Sequence, residues 1–247
     1  MTVSIVVPCF NEARRLDLDA FRSLADAVDE VRFVDDGSTD ATPATLAALA
    51  EERPDRIVVQ SLRRNAGKAE AVRLGMLAAI DAGHSIVGFL DADLATPTHE
   101  IARLVDIAGT QPQRTAVIGS RVALLGHAVH RRPARHYLGR LYATVASLAL
   151  GVAVYDTQCG AKVFRVGIPL QLALADSFHD PWSFDVELLG RLLSHPGQAA
   201  DPILEVPLFE WRDVDGSQVR AAAGLRASVA LLGLRSRVRR HRRRYAS

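Results

Sequence analysis

Short apolar runs rich in β-branched residues recur along the first 120 residues, separated by longer stretches of helical periodicity. Val3–Val7, Val31–Val34, Ile57–Gln60, Ile86–Leu90 and Ala116–Gly119 read as strands. Most are apolar throughout, the pattern of strands covered on both faces. Between them, 12–28, 40–52, 66–82 and 98–109 carry helical patterns. This alternation predicts an α/β fold: right-handed crossovers and a mostly parallel, Rossmann-like central sheet flanked by helices.

The pattern changes after residue 120. A basic loop at 121–136 leads into an Ala/Leu-rich helix near 137–152. A Cys-Gly turn, a strand near 161–165 and a helix near 184–194 follow. A last amphipathic helix starts near Ser217 and runs into an arginine-rich end. The expected organisation is one domain over 1–216, with halves 1–120 and 121–216, and a basic segment over 217–247.

In an open parallel sheet, ligands sit beyond the carboxyl ends of the strands. Each of the five strands ends in polar residues: Pro8-Cys9-Phe10-Asn11-Glu12, Asp35-Asp36-Gly37-Ser38, Asn65-Ala66-Gly67-Lys68, Asp91-Ala92-Asp93 and Ser120-Arg121. One such cluster is an ordinary turn or helix cap. Five on one rim point to a binding site. Asp91 and Asp93 emerge where the buried run IVGFL stops. Two carboxylates so close repel unless a cation joins them, and Mg²⁺ or Mn²⁺ favours such oxygen ligands completed by phosphates. The competing reading is a helix cap using Asp93 or Thr96. Asp35 and Asp36, before a Gly-Ser turn, suit hydrogen bonds from a base or a ribose. Lys68 is one of two lysines and opens a helix, where an ammonium and an N-terminus together suit a diphosphate.

Several classes are excluded. No G-x-G-x-x-G follows the first strand and no P-loop is present. The eight histidines have no zinc-ligand spacing, and no serine lies in a nucleophile elbow.

The segments SIVVPCFNEARRL, FVDDGSTDAT, RNAGKAEAVRLGM and FLDADLATP, in this order, resemble family 2 glycosyltransferases of the GT-A fold. YDTQCGAKVF, WSFDVELL and EVPLFEWRDVDGSQV extend the resemblance toward the polyprenyl- and dolichyl-phosphate glucosyltransferases, and more distantly the dolichyl-phosphate mannose synthases. The likeness spans roughly residues 3–220. It implies a nucleotide-sugar donor, UDP-glucose in the glucosyl subgroup, a polyprenyl-phosphate acceptor, and Mg²⁺ or Mn²⁺ held by Asp91 and Asp93. It implies a donor pocket of Pro8, Asn11, Glu12, Asp35, Asp36, Lys68, Asp91, Ala92 and Asp93, with Arg121 facing donor and acceptor phosphates. Mannose synthases usually carry Gln where this chain has Ala95, which lowers the weight on GDP-mannose.

Arginine forks suit an acceptor phosphate, and Arg131, Arg132, Arg135 and Arg140 follow Arg121. A solvated basic face is their plainer reading. A catalytic base is expected among Asp156, Asp185 and Glu187, beside Arg121. Asp185 and Glu187, two apart on a helix, cannot share one face. Trp182 suits stacking on a sugar or a place in the core.

The 247 residues are 49% hydrophobic with a net charge of +2, against disorder. Seven arginines and no acid fall within 235–247, which leaves a net of −5 for the rest. Such a tail, Arg235–Arg244, suits an anionic membrane surface. Nothing beside it suggests nucleic-acid binding. The helix at 137–152 has an apolar face of Leu138, Leu141, Tyr142, Val145, Leu148, Ala149 and Val152 that suits a bilayer surface or a core. MTVSIVVPCF reads as a strand, not a signal peptide, and no apolar run reaches the ~20 residues of a membrane span. Two cysteines, Cys9 and Cys159, fit free thiols in a reducing compartment. The expectation is a cytoplasmic enzyme peripheral to the membrane, with homo-oligomers open. Two alternatives stand beside it: a soluble GT-A transferase acting on a small molecule, glycan or protein, and a non-catalytic nucleotide-sugar-binding or membrane scaffold.

Overall fold

The computed structural model describes residues 1–130, 133–195, 201–214, 231 and 233–244. Its strands are β1 (Val3–Cys9), β2 (Glu30–Asp35), β3 (Ile57–Ser61), β4 (Ile86–Leu90), β5 (Ala116–Ser120), β6 (Ala128–His130), β7 (Ala161–Arg165), β8 (Ile203–Pro207) and β9 (Glu210–Arg212). Its helices are α1 (Leu18–Ala27), α2 (Thr42–Glu52), α3 (Lys68–Asp81), α4 (Thr98–Thr110), α5 (Pro133–Leu150), α6 (Ile168–Leu174), α7 (Phe184–Leu193) and α8 (Leu234–Arg244).

The main sheet runs β3-β2-β1-β4-β7-β5-β8, and β6 with β9 forms a two-stranded parallel ribbon. Every pairing in the main sheet is parallel except those of β7, which lies antiparallel between β4 and β5. The five strands expected in the first half form with ends shifted by at most two residues. Strands β6, β8 and β9 and helix α6 are additional to the sequence expectation. They are short and lack a strong period of their own, so tertiary contacts define them.

Alternate residues of the central strands feed two layers. Ile5, Val7 and Phe33 face a core with Phe21, Leu46, Ile101 and Leu104. Val6, Val34 and Phe89 face another with Val72, Met76, Leu170 and Leu188. Each buried side chain of this size contributes about 1.5–3 kcal/mol relative to exposure, which holds the sheet rigid beneath its rim.

Two helix starts differ from the periodicity in a way that builds the rim. The pattern over 12–28 becomes helical only at Leu18, because Asp17 caps α1 by accepting Ala20 N at 3.1 Å. Residues 10–16 are thereby left as a loop. Helix α3 starts at Lys68, since Gly67 takes φ +91°, a value glycine adopts without strain.

A third cluster joins Tyr142 and Ala146 of α5, Val186 of α7, Leu231 and Leu234. Helix α8 thus packs on α7 and α5, with Leu234 and Val238 over Gly190, and Arg244 reaches Asp176 at 3.0 Å. Residues 217–230 of the expected final helix lie outside the described residues. Among the described residues, no helix is long and apolar enough to cross a membrane.

Candidate active site

β1 and β4 are neighbours at the sheet centre, yet their ladder stops at Val6–Phe89. With β2, β1 continues to Cys9–Asp35. A crevice therefore opens at the switch point between β1 and β4. Cys9 turns its carbonyl toward β2, where it accepts Asp36 N at 2.8 Å. Strand alternation sends the N–H that Pro8 lacks to the β4 side, beyond the last rung, so proline removes no ladder bond.

The loops lining this crevice are tied to one another. Asn11 Oδ1 accepts Thr39 N at 2.8 Å and Asp40 N at 3.3 Å, and Asn11 N donates to Ser38 Oγ at 2.9 Å. Glu12 N donates to Thr42 Oγ1 at 2.8 Å, and its carboxylate receives Arg15 Nη2 and Nε at 2.6 and 2.8 Å. Burial pushes the Glu12 carboxyl above its ordinary pKa; Arg15 opposes the shift and Asp93 adds to it. Asp35 Oδ1 accepts Ser38 N at 3.1 Å. Both oxygens of buried Asp36 are taken by Ala66 N (2.7 Å) and Gly67 N (2.8 Å). The second aspartate of the DDGS turn thus latches β2 to the start of α3.

Asp91 and Asp93 stand on the turn after β4. The turn is held by Leu94 N donating to Asp91 O at 3.2 Å and Ala95 N donating to Asp93 Oδ1 at 3.1 Å. Helix α4 starts later, after Pro97, with no side-chain cap. Among the described residues, the non-glycines with positive φ are Asn11 (55°) and Leu94 (49°), one on each bank of the crevice. Such backbone costs on the order of 1–3 kcal/mol and gathers at functional sites. The Asp91 carboxylate lies against Gly160, where a built Cβ would collide with Asp91 Oδ2. The glycine of the Gln-Cys-Gly turn is a space requirement of Asp91.

Lys68 Nζ lies 2.6 Å from Asp91 Oδ1. Burial pulls the Lys68 ammonium down, but Asp91, Asp185 and Asp93 more than offset this, so its pKa stands above the ordinary lysine value. Burial, then the charge of Asp91, pushes the Asp93 carboxyl above the usual range. The crevice is therefore short of positive charge, and the donor set fits a hard divalent cation. No third His, Cys, Asp or Glu completes a metal cluster among the described residues. Further ligands would come from phosphate or water.

Farther along the rim, past β4, Arg121 at the end of β5 and Asp156 pair side-on, Nε–Oδ2 2.6 Å and Nη2–Oδ1 2.8 Å. Asp156 also accepts Arg121 N and Gln158 N, each at 3.1 Å. Glu205 on β8 holds this loop by accepting Tyr155 N (2.8 Å) and Asp156 N (2.6 Å). The Arg121 guanidinium lies 5.4 Å from the ring of Trp211, on β9. Asp185, at the start of α7, pairs with Lys162 Nζ at 2.6 Å, and Lys162 also donates to Cys159 O at 2.5 Å. Burial pushes Asp185 up; Lys162 and Lys68 oppose it. Glu187 turns the other way, to Arg191 and His179, as the i, i+2 spacing requires.

Arg131 and Arg132 lie outside the described residues. Arg135 falls within α5, its side chain also outside them. Arg140 stacks over Tyr155 at 3.9 Å. Trp182 is partly buried and meets Tyr142 edge-on at 5.0 Å. Arg15, Gly160, Lys162, Glu205 and Trp211 were not singled out by sequence. Lys162 carried a signal, as the other of two lysines.

A family model for glycosyl transferase family 2 matches residues 4–168. The chain belongs to this family. Among relatives of this transferase, the polyprenol monophosphomannose synthase of Mycolicibacterium smegmatis is 29% identical over 96% of this chain and 89% of that protein. The dolichyl-phosphate beta-glucosyltransferase of Drosophila melanogaster is 32% identical over 89% of this chain and 69% of that protein. Among solved structures, glucosyl-3-phosphoglycerate synthase from Mycobacterium tuberculosis, in complex with Mn²⁺, uridine-diphosphate-glucose and phosphoglyceric acid, superposes with a TM-score of 0.66. That match has 22% identity over 95% of this chain and 79% of the other. The fold is that of the GT-A transferases.

Proposed function

We propose that this transferase moves a hexose, glucose from UDP-glucose, onto a polyprenyl phosphate with inversion, at an anionic membrane surface. The observation that carries this reading is the rim at the β1–β4 crevice, where Lys68, from the β3 side, meets Asp91 after β4, with Asp93 beside it and the Arg121–Asp156 pair farther along the rim past β4. The relatives act, by their names, on polyprenol or dolichyl phosphates, and they differ in sugar. Ala95, where mannose synthases usually carry Gln, favours glucose.

Asp91 and Asp93 would hold Mg²⁺ or Mn²⁺, with the loops of Pro8, Asn11, Glu12 and Asp35 around the nucleotide. When bound, the cation supplies Lewis-acid stabilisation to the departing diphosphate. The attacking atom is an oxygen of the acceptor phosphate, which bonds to the anomeric carbon as the nucleotide diphosphate leaves. A phosphomonoester has a second pKa near ~6 and is largely dianionic at neutral pH, so it needs no strong base. Asp156 fits that economy, because its oxygens are engaged by Arg121 and backbone N–H groups. Its work is to aim Arg121, a fixed cation for the phosphate.

Support for the membrane comes from two helices. Leu141 and Leu148 are exposed on one face of α5, and Val152 beyond its end is exposed too, while Tyr142 and Ala146 pack inward. On α8, Arg239, Arg240, Arg243 and Arg244 face solvent.

The test is transfer of radiolabel from UDP-glucose to polyprenyl phosphate by purified protein with Mg²⁺ or Mn²⁺. A lipid-soluble product is expected. No labelled lipid with UDP-glucose, UDP-galactose, GDP-mannose or UDP-N-acetylglucosamine would overturn the reading. Equal transfer to a water-soluble acceptor without lipid would move it to the soluble class.

A further inference from the structure

A cation of the chain itself stands on Asp91. The Lys68 ammonium sits 2.6 Å from Oδ1 of that carboxylate, and Asp185 and Asp93 also attract it. Asp91 is anchored here by its backbone, Asp91 N donating to Gly160 O at 3.0 Å, and a side chain at Gly160 would take the space its carboxylate occupies. A hard divalent ion binds a carboxylate oxygen at about 2.0–2.2 Å. An ion entering at Oδ1 would meet the ammonium almost in contact, and like charges so close cannot share the oxygen. Lys68 is free to leave. Its side chain is 43% exposed, it stands on a flexible four-carbon stem at the first residue of α3, and Gly67 precedes it. Asp185 supplies a second anionic attractor within its field.

We propose that Lys68 is a resident placeholder for the divalent ion: cation entry and release of Lys68 from Asp91 are one exchange. The ammonium keeps the acidic rim neutral enough to stay folded without metal. Once displaced, it is available to the donor diphosphate. Metal binding without nucleotide is then weak by design, and strong only when a diphosphate gives the displaced ammonium a new partner. This inference rests on the metal assignment of Asp91 and Asp93 made above.

The experiment is titration of Mn²⁺ by electron paramagnetic resonance, on the full chain, with and without UDP. Lys68→Met removes the competing charge and keeps the stem. It is expected to tighten donor-free Mn²⁺ binding about tenfold. With UDP present the tightening should vanish or reverse, because the diphosphate loses its partner. Lys68→Arg, which retains the charge, should keep the weak donor-free affinity. Thermal melts give a second readout: the metal-free Lys68→Met protein should melt below wild type, and saturating Mn²⁺ should raise it further than it raises wild type. Donor-free Mn²⁺ affinity equal to or weaker than wild type in Lys68→Met would overturn the exchange while leaving the metal assignment standing. Absence of Mn²⁺ binding in wild type and Lys68→Met, with and without UDP, would overturn both.

Discussion

Arg121 and Asp156 meet side-on through two bonds of 2.6 and 2.8 Å, and the same carboxylate also takes the backbone N–H of Arg121. Such a fork fixes the plane of the guanidinium. Asp156→Asn puts an amide N–H₂ against these donors and releases that plane. We expect kcat/KM for the lipid phosphate to fall about 100-fold, the usual loss for one misplaced electrostatic group. UDP binding should stay within about twofold of wild type, since Asp156 acts here through Arg121 and Gln158 N. The pH–rate profile separates this role from that of a base. An orienting carboxylate leaves its shape unchanged, whereas loss of the acid limb in Asp156→Asn would show proton transfer.

Gly160 tests the placement of Asp91 without removing a charge. A methyl group there collides with Asp91 Oδ2, so Gly160→Ala must push the carboxylate or the Gln-Cys-Gly turn aside. Overpacking of this kind costs about 1–3 kcal/mol, which the fold should survive. Mn²⁺ affinity in the presence of UDP should drop at least about tenfold, because hard-cation sites depend on ligand placement. Unaltered Mn²⁺ binding by calorimetry would show that Asp91 is not held in place by this contact.

Lys162 and Asp185 form a buried pair, with the lysine side chain fully covered and the aspartate 7% exposed. Removing one partner strands a charge, so Lys162→Met should cost about 3–5 kcal/mol in urea unfolding. The double variant Lys162→Met/Asp185→Leu should regain most of that stability. It should not regain transfer activity, because Asp185 lies in the field of Lys68 and Asp91. Full activity in the double variant would reduce the pair to packing.

How far the sequence alone reaches is visible in these residues. Asp91, Asp93 and Lys68 were legible because strand periodicity places them at one rim, and a rim is where polar residues mean binding. The positions of the first five strands were legible from their apolar periodicity. Lys162, Gly160 and Glu205 were not, since each acts through a partner distant in sequence: Asp185, Asp91 and the 155–156 backbone. Antiparallel insertion of β7 between β4 and β5 is likewise a tertiary choice. The DDGS setting marks Asp36 for the nucleotide rim, but its bonds to the backbone before α3 join distant segments and are not legible in any local pattern.

Glu187 gives the acid limb of stability. Burial raises its pKa, but His179 and the charge of Arg191 outweigh this, so it stands below the ordinary glutamate value. A carboxylate depressed in the folded state contributes stability that is fully present above the unfolded pKa and is lost as pH falls through the folded one. Glu187→Gln should therefore destabilise by about 3 kcal/mol at neutral pH, as expected for removing one member of a buried pair. The gap to wild type should narrow as pH drops below the ordinary glutamate range. A gap that stays constant to pH 2 in thermal melts would mean that the Glu187 charge contributes nothing.

The arginine helix can be split into a packing face and a solvent face. Leu234 and Val238 cover Gly190, while Arg239, Arg240 and Arg243 are exposed. Replacing these three arginines with glutamine leaves the packing face alone, so the melting temperature should hold. Each basic residue near an anionic surface contributes about 1 kcal/mol, so the triple variant should bind phosphatidylserine vesicles about 100-fold more weakly. Added salt should weaken wild type toward the variant, by screening. Truncation after Gly233 behaves differently, because it also removes the cover of Gly190 and the Arg244–Asp176 pair, and should lower the melting temperature as well as vesicle binding. The two variants thus separate a tether from a structural helix. Vesicle binding by the triple variant equal to wild type would remove the membrane role of the tail and leave α8 as a brace for α7.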